Sequence, residues 1–461
     1  MNDEQYKGYR GRTREVLERF GARVWGDVEL ESDGCTFHGI ILPRSETADA
    51  DHVVLKLHSG YNVGVHADRI RDIREVGYKK AHYQIPESEF PRDDSKPDVT
   101  LLGTGGTIAS RLDYTTGAVI PAFSPGELYG AVPELADIAN LTTRKLFGIF
   151  SEDMGPHQWK TLAAEIGVEF EKGASGIVIG HGTDTMHYTA AILSFMVQDP
   201  PGPIVLVGSQ RSSDRPSSDA ARNLINAVHT AAYSDIAEVM VCMFGPTSDE
   251  FDLLHRGTRV RKMHSSTRST FRTLSARPLA TVSPGKIRTI EENYRTRDMA
   301  RKPRINPAFE EKVSLVTYYP NMKGDIIDAL VDNGYKGIII GGTGLGHVNR
   351  LLFPSIRNAV QRGVHVYMTV QTLWGYVHMN VYDTGRYLLD LGVIPAGNML
   401  PEVAYVKLGW ALGQSSDPEE VRKIMLTSIS HEITEREPYD GYIVLQGGLP
   451  EVDEFLKGHL L

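Results

Sequence analysis

Asp98-Val-Thr-Leu-Leu-Gly-Thr-Gly-Gly-Thr-Ile-Ala-Ser110 is the stretch on which the fold turns. Val99 to Leu102 is apolar and reads as a buried strand, which Gly103, Gly105 and Gly106 break into a tight turn. The turn offers two hydroxyls, Thr104 and Thr107, at the carboxyl end of a strand, where open α/β sheets bind ligands. Such a turn suits a catalytic threonine, because glycines let backbone N–H groups approach a substrate. It equally suits an anion loop. Neither nucleotide template fits, since position 108 is Ile where G-x-G-x-x-G needs Gly, and no Gly-Lys-Ser/Thr follows.

Working outward, the chain of 461 residues is ordinary in composition, 41% hydrophobic and 23% charged, and is long enough for several domains. A net charge of −9 argues against a dominant nucleic-acid surface. Met1-Asn-Asp-Glu-Gln lacks the pattern of a secretory leader, and no apolar run is of membrane-spanning length. Two cysteines cannot build a disulfide framework or a structural zinc site, so a reducing cytoplasm without membrane contact is expected.

Residues 1–83 differ from the rest. A charged helix is predicted over Asp3 to Phe20, followed by short strand-like runs at 23–30, 36–42, 53–57 and 61–65 between close turns. This pattern predicts a small β-barrel-like domain. Residues 84–97, with Pro86, Pro91 and Pro97 among acidic residues, read as a stiff linker. From Asp98 onward apolar strands alternate with helical stretches, which predicts an α/β architecture with a largely parallel sheet. Residues 283–310 read as the connection from a larger domain (98–285) to a smaller one (311–430), with 431–461 a C-terminal extension.

A second strand, Gly176-Ile-Val-Ile179, runs into Gly180-His-Gly-Thr-Asp-Thr-Met186. Thr183 and Asp184 stand there before a predicted helix, whose N-terminus favours a carboxylate or an oxyanion. Either residue can equally be an N-cap. The basic run Arg256-Gly-Thr-Arg-Val-Arg-Lys262 reads by default as a solvated loop. Lys262 matters only if it folds back onto Thr183 and Asp184, where it can act as a base toward a threonine hydroxyl. Cys242 lies mid-strand and reads as core, Cys35 as surface loop, and His181 and His187 are off the helical metal-pair spacing.

Together, Gly103-Thr-Gly-Gly-Thr-Ile-Ala109 and His181-Gly-Thr-Asp-Thr-Met186 resemble the two signatures of the bacterial-type asparaginase/glutaminase family, in the right order and over roughly residues 98–430. The resemblance implies a larger α/β domain, a smaller flavodoxin-like one, and amide hydrolysis by a threonine nucleophile. Thr107 matches the acylated threonine and Tyr114 the lid-loop tyrosine that helps activate it. Thr183, Asp184 and Lys262 match the Thr–Asp–Lys set, and Ser151 a substrate-contacting serine. Glu152 departs from the family, which usually has Gln at that substrate-binding position. The acidic residue that tetrameric members donate from a neighbouring small domain has no counterpart in Gln371–Asn380.

Residues 1–97 exceed what a plain asparaginase needs. With the run Ser110–Val119 they resemble the D-subunit family of archaeal glutamyl-tRNA(Gln) amidotransferases. That resemblance implies a glutaminase that supplies ammonia to a partner E subunit, which binds Glu-tRNA(Gln) and uses ATP and Mg²⁺. It also implies a homodimer within a heterotetramer, with no cofactor held by this chain. A stand-alone cytoplasmic asparaginase/glutaminase with an added domain is the rival reading, and a non-catalytic scaffold a third.

Overall fold

The structure is a computed structural model that describes residues 3–44, 49–57, 62–78, 92–105, 110–113, 118–121, 132–211, 218–246 and 249–438. Residues 84–91 of the expected linker, the turn 106–109 with Thr107, and Tyr114 therefore fall outside the described residues.

The N-terminal residues form an antiparallel sheet with strand order β4-β3-β2-β1-β5, where β1 is Gly26–Ser32, β2 Cys35–Ile41, β3 His52–Leu57, β4 Asn62–His66 and β5 Ile70–Tyr78. The edge strands β4 and β5 are joined by only three residues, Ala67–Arg69. Five flat strands would set those edges ~19 Å apart, beyond the ~14 Å that so short a connection spans, so the sheet must curl. Helix α1 (Gly11–Phe20) contributes Leu17 to a core with Val28, Leu30, Val53 and Ile73. The predicted helix from Asp3 is interrupted before Gly11. Tyr9 turns inward there, 4% exposed, and its hydroxyl donates to the Leu42 carbonyl at 2.8 Å.

The large sheet begins with β6 (Asp98–Gly105), β7 (Asn140–Ile149), helix α2 (Pro156–Glu171), β8 (Gly176–Gly180), helix α3 (Met186–Met196), β9 (Ile204–Val207), helix α4 (Ala220–Tyr233) and β10 (Val239–Phe244). It is completed by β11 (Asp252–Arg256), an outlying hairpin of β12 (Val260–Lys262) and β13 (Phe271–Thr273), then β14 (Ala280–Ser283) and β15 (Lys286–Thr289). The order is β15-β14-β11-β10-β9-β8-β6-β7, parallel from β10 to β7 and antiparallel beyond. The segment expected as a bare connection thus contributes the edge strand β15. Alternate strand residues feed two cores: Ile177 and Ile179 meet α2 and α3, while Val178 meets α4. Burial on both faces is why these strands are continuously apolar.

The second sheet is fully parallel, in the order β16 (Val313–Thr317), β17 (Gly337–Gly342), β18 (His365–Val370), β19 (Ile394–Pro395). Helices α5 (Asp325–Asp332), α6 (Phe353–Gln361) and α7 (Asp383–Asp390) cover one face. Helices α8 (Pro401–Gln414) and α9 (Pro418–Leu426) cover the other. Helix α8 serves two cores at once. Ala404 and Leu408 face the small sheet, and Val403, Val406 and Trp410 pack with α2 and α3 of the large domain. A separate extension is expected from 431, but its described part is inside this junction: Glu432 is fully buried against Lys407 at 2.5 Å. No helix among the described residues is long and apolar enough to cross a membrane.

Candidate active site

Strand order reverses at β6, because the chain passes from β6 to β7 on one side and then to β8, β9 and β10 on the other. Crevices at the carboxyl ends of such strands bind ligands. Gly105, at the end of β6, has φ +119°, and a Cβ there would lie 2.1 Å from the Ile149 carbonyl oxygen. Only glycine fits that crossing of β6 over β7. Thr104 is buried and its hydroxyl donates to the Gly180 carbonyl at 2.9 Å, so it ties β6 to β8 and is spent on the turn.

Thr183 and Asp184 follow β8 directly. Neither caps α3: its N-cap residue is Thr185, whose hydroxyl instead donates to the Ser151 carbonyl. That bond and the close approach of Gly182, where a Cβ would sit 2.8 Å from Ser151 Cβ, seat Ser151 beside Thr183. Ser151 is 5% exposed, whereas its neighbour Glu152 faces solvent.

Lys262 closes the set. Its Nζ donates to Thr183 Oγ1 at 2.9 Å and to Asp184 Oδ1 at 2.6 Å, bridging residues 79 and 78 positions away. The lysine side chain is 10% exposed and the aspartate 68% exposed, so the cluster is buried at its base and open on one side. The default reading of 256–262 as a solvated loop is overturned. Arg256 pairs with Glu238, and Arg259 is fully buried, donating to the His431 and Asn398 carbonyls and to Asn398 Oδ1. These bonds fix the turn that leads into β12.

Sequence reasoning missed the support beneath the second motif. The Trp159 indole N–H donates to Thr189 Oγ1 at 3.1 Å, and Thr189 Oγ1 lies 2.8 Å from His181 Nε2. His181 Nδ1 is 2.6 Å from the Gly182 carbonyl. A ring nitrogen facing a carbonyl must carry the proton, so Nε2 accepts from Thr189. Burial pushes His181 down to about 4, and His187 down to about 3 with Arg261 adding to the effect, so both rings stay neutral. The sequence holds no signal for this chain of contacts beyond a histidine one residue ahead of Gly182.

The fold, with Thr183, Asp184 and Lys262 gathered at its strand ends, is that of an asparaginase-like α/β amidohydrolase. Residues 98–295 match the asparaginase N-terminal family model and 312–425 the glutaminase/asparaginase C-terminal domain. Residues 22–76 match the GatD N-terminal domain. Among solved structures, the thermostable L-asparaginase from Thermococcus kodakarensis superposes with TM-score 0.65 at 33% identity, covering 73% of this chain and 99% of its own. L-asparaginase I from Vibrio cholerae gives 0.62 at 30% identity, covering 74% and 99%. Relatives named as the D subunit of glutamyl-tRNA(Gln) amidotransferase match over nearly the whole chain. Those from Thermococcus kodakarensis and Methanothermobacter thermautotrophicus are 51% and 49% identical, each over 93% of this chain and 98% of the relative. The chain belongs to the D-subunit family of glutamyl-tRNA(Gln) amidotransferases.

Proposed function

We propose that this chain is the glutamine-hydrolysing component of a glutamyl-tRNA(Gln) amidotransferase, releasing ammonia for a partner subunit. One observation carries the reading over a free-standing asparaginase. The L-asparaginase of Thermococcus kodakarensis is covered to 99% of its length by 73% of this chain, and the remainder includes a curled β domain matching the GatD N-terminal model.

In the proposed chemistry Thr107 attacks the glutamine side-chain amide, strand-end backbone amides hold the oxyanion, and ammonia leaves. Water then hydrolyses the acyl-threonine. Thr183, Asp184 and Lys262 relay protons in both steps, with Tyr114 assisting Thr107. Lys262 suits the task because one ammonium meets both the hydroxyl and the carboxylate. His181 and His187, at about 4 and 3, are too weakly basic to compete near neutral pH. Ser151 and Glu152 are assigned to the substrate's backbone end, the Glu152 carboxylate to the α-ammonium and the Ser151 hydroxyl to the α-carboxylate.

The chain itself holds no cofactor in this reading. ATP and Mg²⁺ are used by the E subunit, which binds Glu-tRNA(Gln), and the assembly is a cytoplasmic heterotetramer built on a homodimer of this chain. Ammonia escapes readily into water, so the two active sites must communicate by an enclosed route. The decisive assay purifies the chain with and without the tRNA-binding subunit. Glutamine hydrolysis that rises with the partner, ATP and Glu-tRNA(Gln) supports the proposal. Brisk asparagine hydrolysis by the chain alone, unaffected by a partner, overturns it in favour of the stand-alone enzyme.

A further inference from the structure

Lys262 and Arg261 are successive residues of the three-residue strand β12 and point to opposite sides. Lys262 reaches Thr183 and Asp184, and Arg261 reaches Glu402 at the start of helix α8, Nη1 to Oε2 at 3.0 Å. We propose that Glu402 is a positioning residue for amide hydrolysis, holding Lys262 in register with Thr183 through Arg261. The inference rests on the assignment of Lys262 to the proton relay.

Three observations support it. First, Glu402 is 2% exposed, and its second oxygen, Oε1, is buried without a hydrogen-bond partner among the described residues. Burial pushes this carboxyl up and the Arg261 guanidinium draws it back. A buried carboxylate answered on one oxygen alone is an expensive way to gain stability, which apolar packing would supply better. Second, α8 also holds the other side of the relay. It packs on α3, the helix that follows Thr183 and Asp184, and the Tyr405 ring meets Tyr188 edge-on at 6.3 Å. One helix of the small domain therefore braces both the strand that carries the lysine and the helix behind the threonine. Third, β12 is short and pairs only with β13 among the described strands, in an outlying two-stranded hairpin. Outside the large sheet, it is anchored by buried Val260 and by the Arg259 bonds, and Arg261–Glu402 ties its outward side to α8.

The test uses the full chain, with the partner subunit where activity requires it. Glu402→Gln preserves shape and removes the charge. A lysine displaced by a fraction of an ångström predicts a kcat for glutamine hydrolysis lower by ~10- to 100-fold, with KM within about twofold. Arg261→Gln should do the same, and the double variant should lose no more than the worse single. Unchanged kcat in a folded single variant, or losses that multiply in the double, overturns the proposal. Should Glu402→Gln fail to fold, Arg261→Lys at a side chain 35% exposed gives the same reading, and wild-type kcat there overturns it. Lys262→Met separates the two levels. Retained activity sinks the relay assignment itself, whereas its loss beside an intact Glu402→Gln sinks the positioning role alone.

Discussion

The Lys262 ammonium lies 2.9 Å from the Thr183 hydroxyl and 2.6 Å from the Asp184 carboxylate, so a strand outside the main sheet completes a site laid out by the sheet. Lys262→Met should lower kcat for glutamine hydrolysis by at least ~100-fold with little change in KM, as for loss of a general acid–base. Thr183→Val should match it. Because the two act as a unit, the double variant should be scarcely worse than either single, and steady-state kinetics on the three proteins would reveal a multiplicative loss.

Thr107→Ala should abolish ammonia release from glutamine. A reactive glutamine analogue should add its acyl mass to the wild-type chain and not to the variant, read by intact mass spectrometry. Turnover at the wild-type level in Thr107→Ala would rule out this nucleophile.

Glu152 follows buried Ser151 and is exposed to solvent. A carboxylate there suits the α-ammonium of glutamine. Glu152→Gln should raise KM by ~3- to 10-fold, the worth of a partly exposed ion pair, and leave kcat nearly untouched. A lower KM in the variant would place the substrate's carboxylate, rather than its ammonium, at this residue.

Buried titratable groups set opposing pH dependences. His181 and His187 are pushed down to about 4 and 3 by burial, while unfolded histidine titrates near 6.5. The unfolded chain therefore binds more protons below pH ~6.5, and their contribution to stability is lost as pH falls from there toward 4. Asp252, fully buried beside Cys242, is pushed up to about 7. Its contribution is present below the unfolded value near 4 and is lost as pH rises through 7. Asp252→Asn, neutral at every pH, should raise the thermal midpoint at pH 8 and change it far less at pH 4. Equal shifts at the two pH values would contradict the assignment.

The strands and the two glycine-hydroxyl motifs were legible because each motif ends a run of apolar residues, the pattern of a strand buried on both faces. Helix α3 was legible over its full span, Met186–Met196. Helix α8 was not, since it is buried against both sheets' cores, with Glu402 and Lys407 among its buried residues, and shows no amphipathic stripe. Arg259 was misread for the opposite reason. Charge in a sequence signals solvent, and the three acceptors that allow its burial come from Asn398 and His431, 139 and 172 residues away. The partner of Arg261, Glu402, was hidden in the same way, 141 residues away. Local pattern identified the chemical groups but not what steadies them.

Residues 428–434 stitch the molecule shut. Thr258 and Arg259 donate to the Ser430 and His431 carbonyls, Ser430 Oγ donates to the Ser194 carbonyl, and Lys407 is sealed against Glu432. Order of synthesis consequently separates the turn ahead of Lys262 from the groups that fasten it. The turn that aims Lys262 leaves the ribosome some 172 residues before the carbonyls that fasten it. At ~5–20 residues per second that interval is roughly 10–35 s. A nascent chain in that window carries Thr183, Asp184 and Lys262 without the carbonyls that fasten the turn ahead of Lys262.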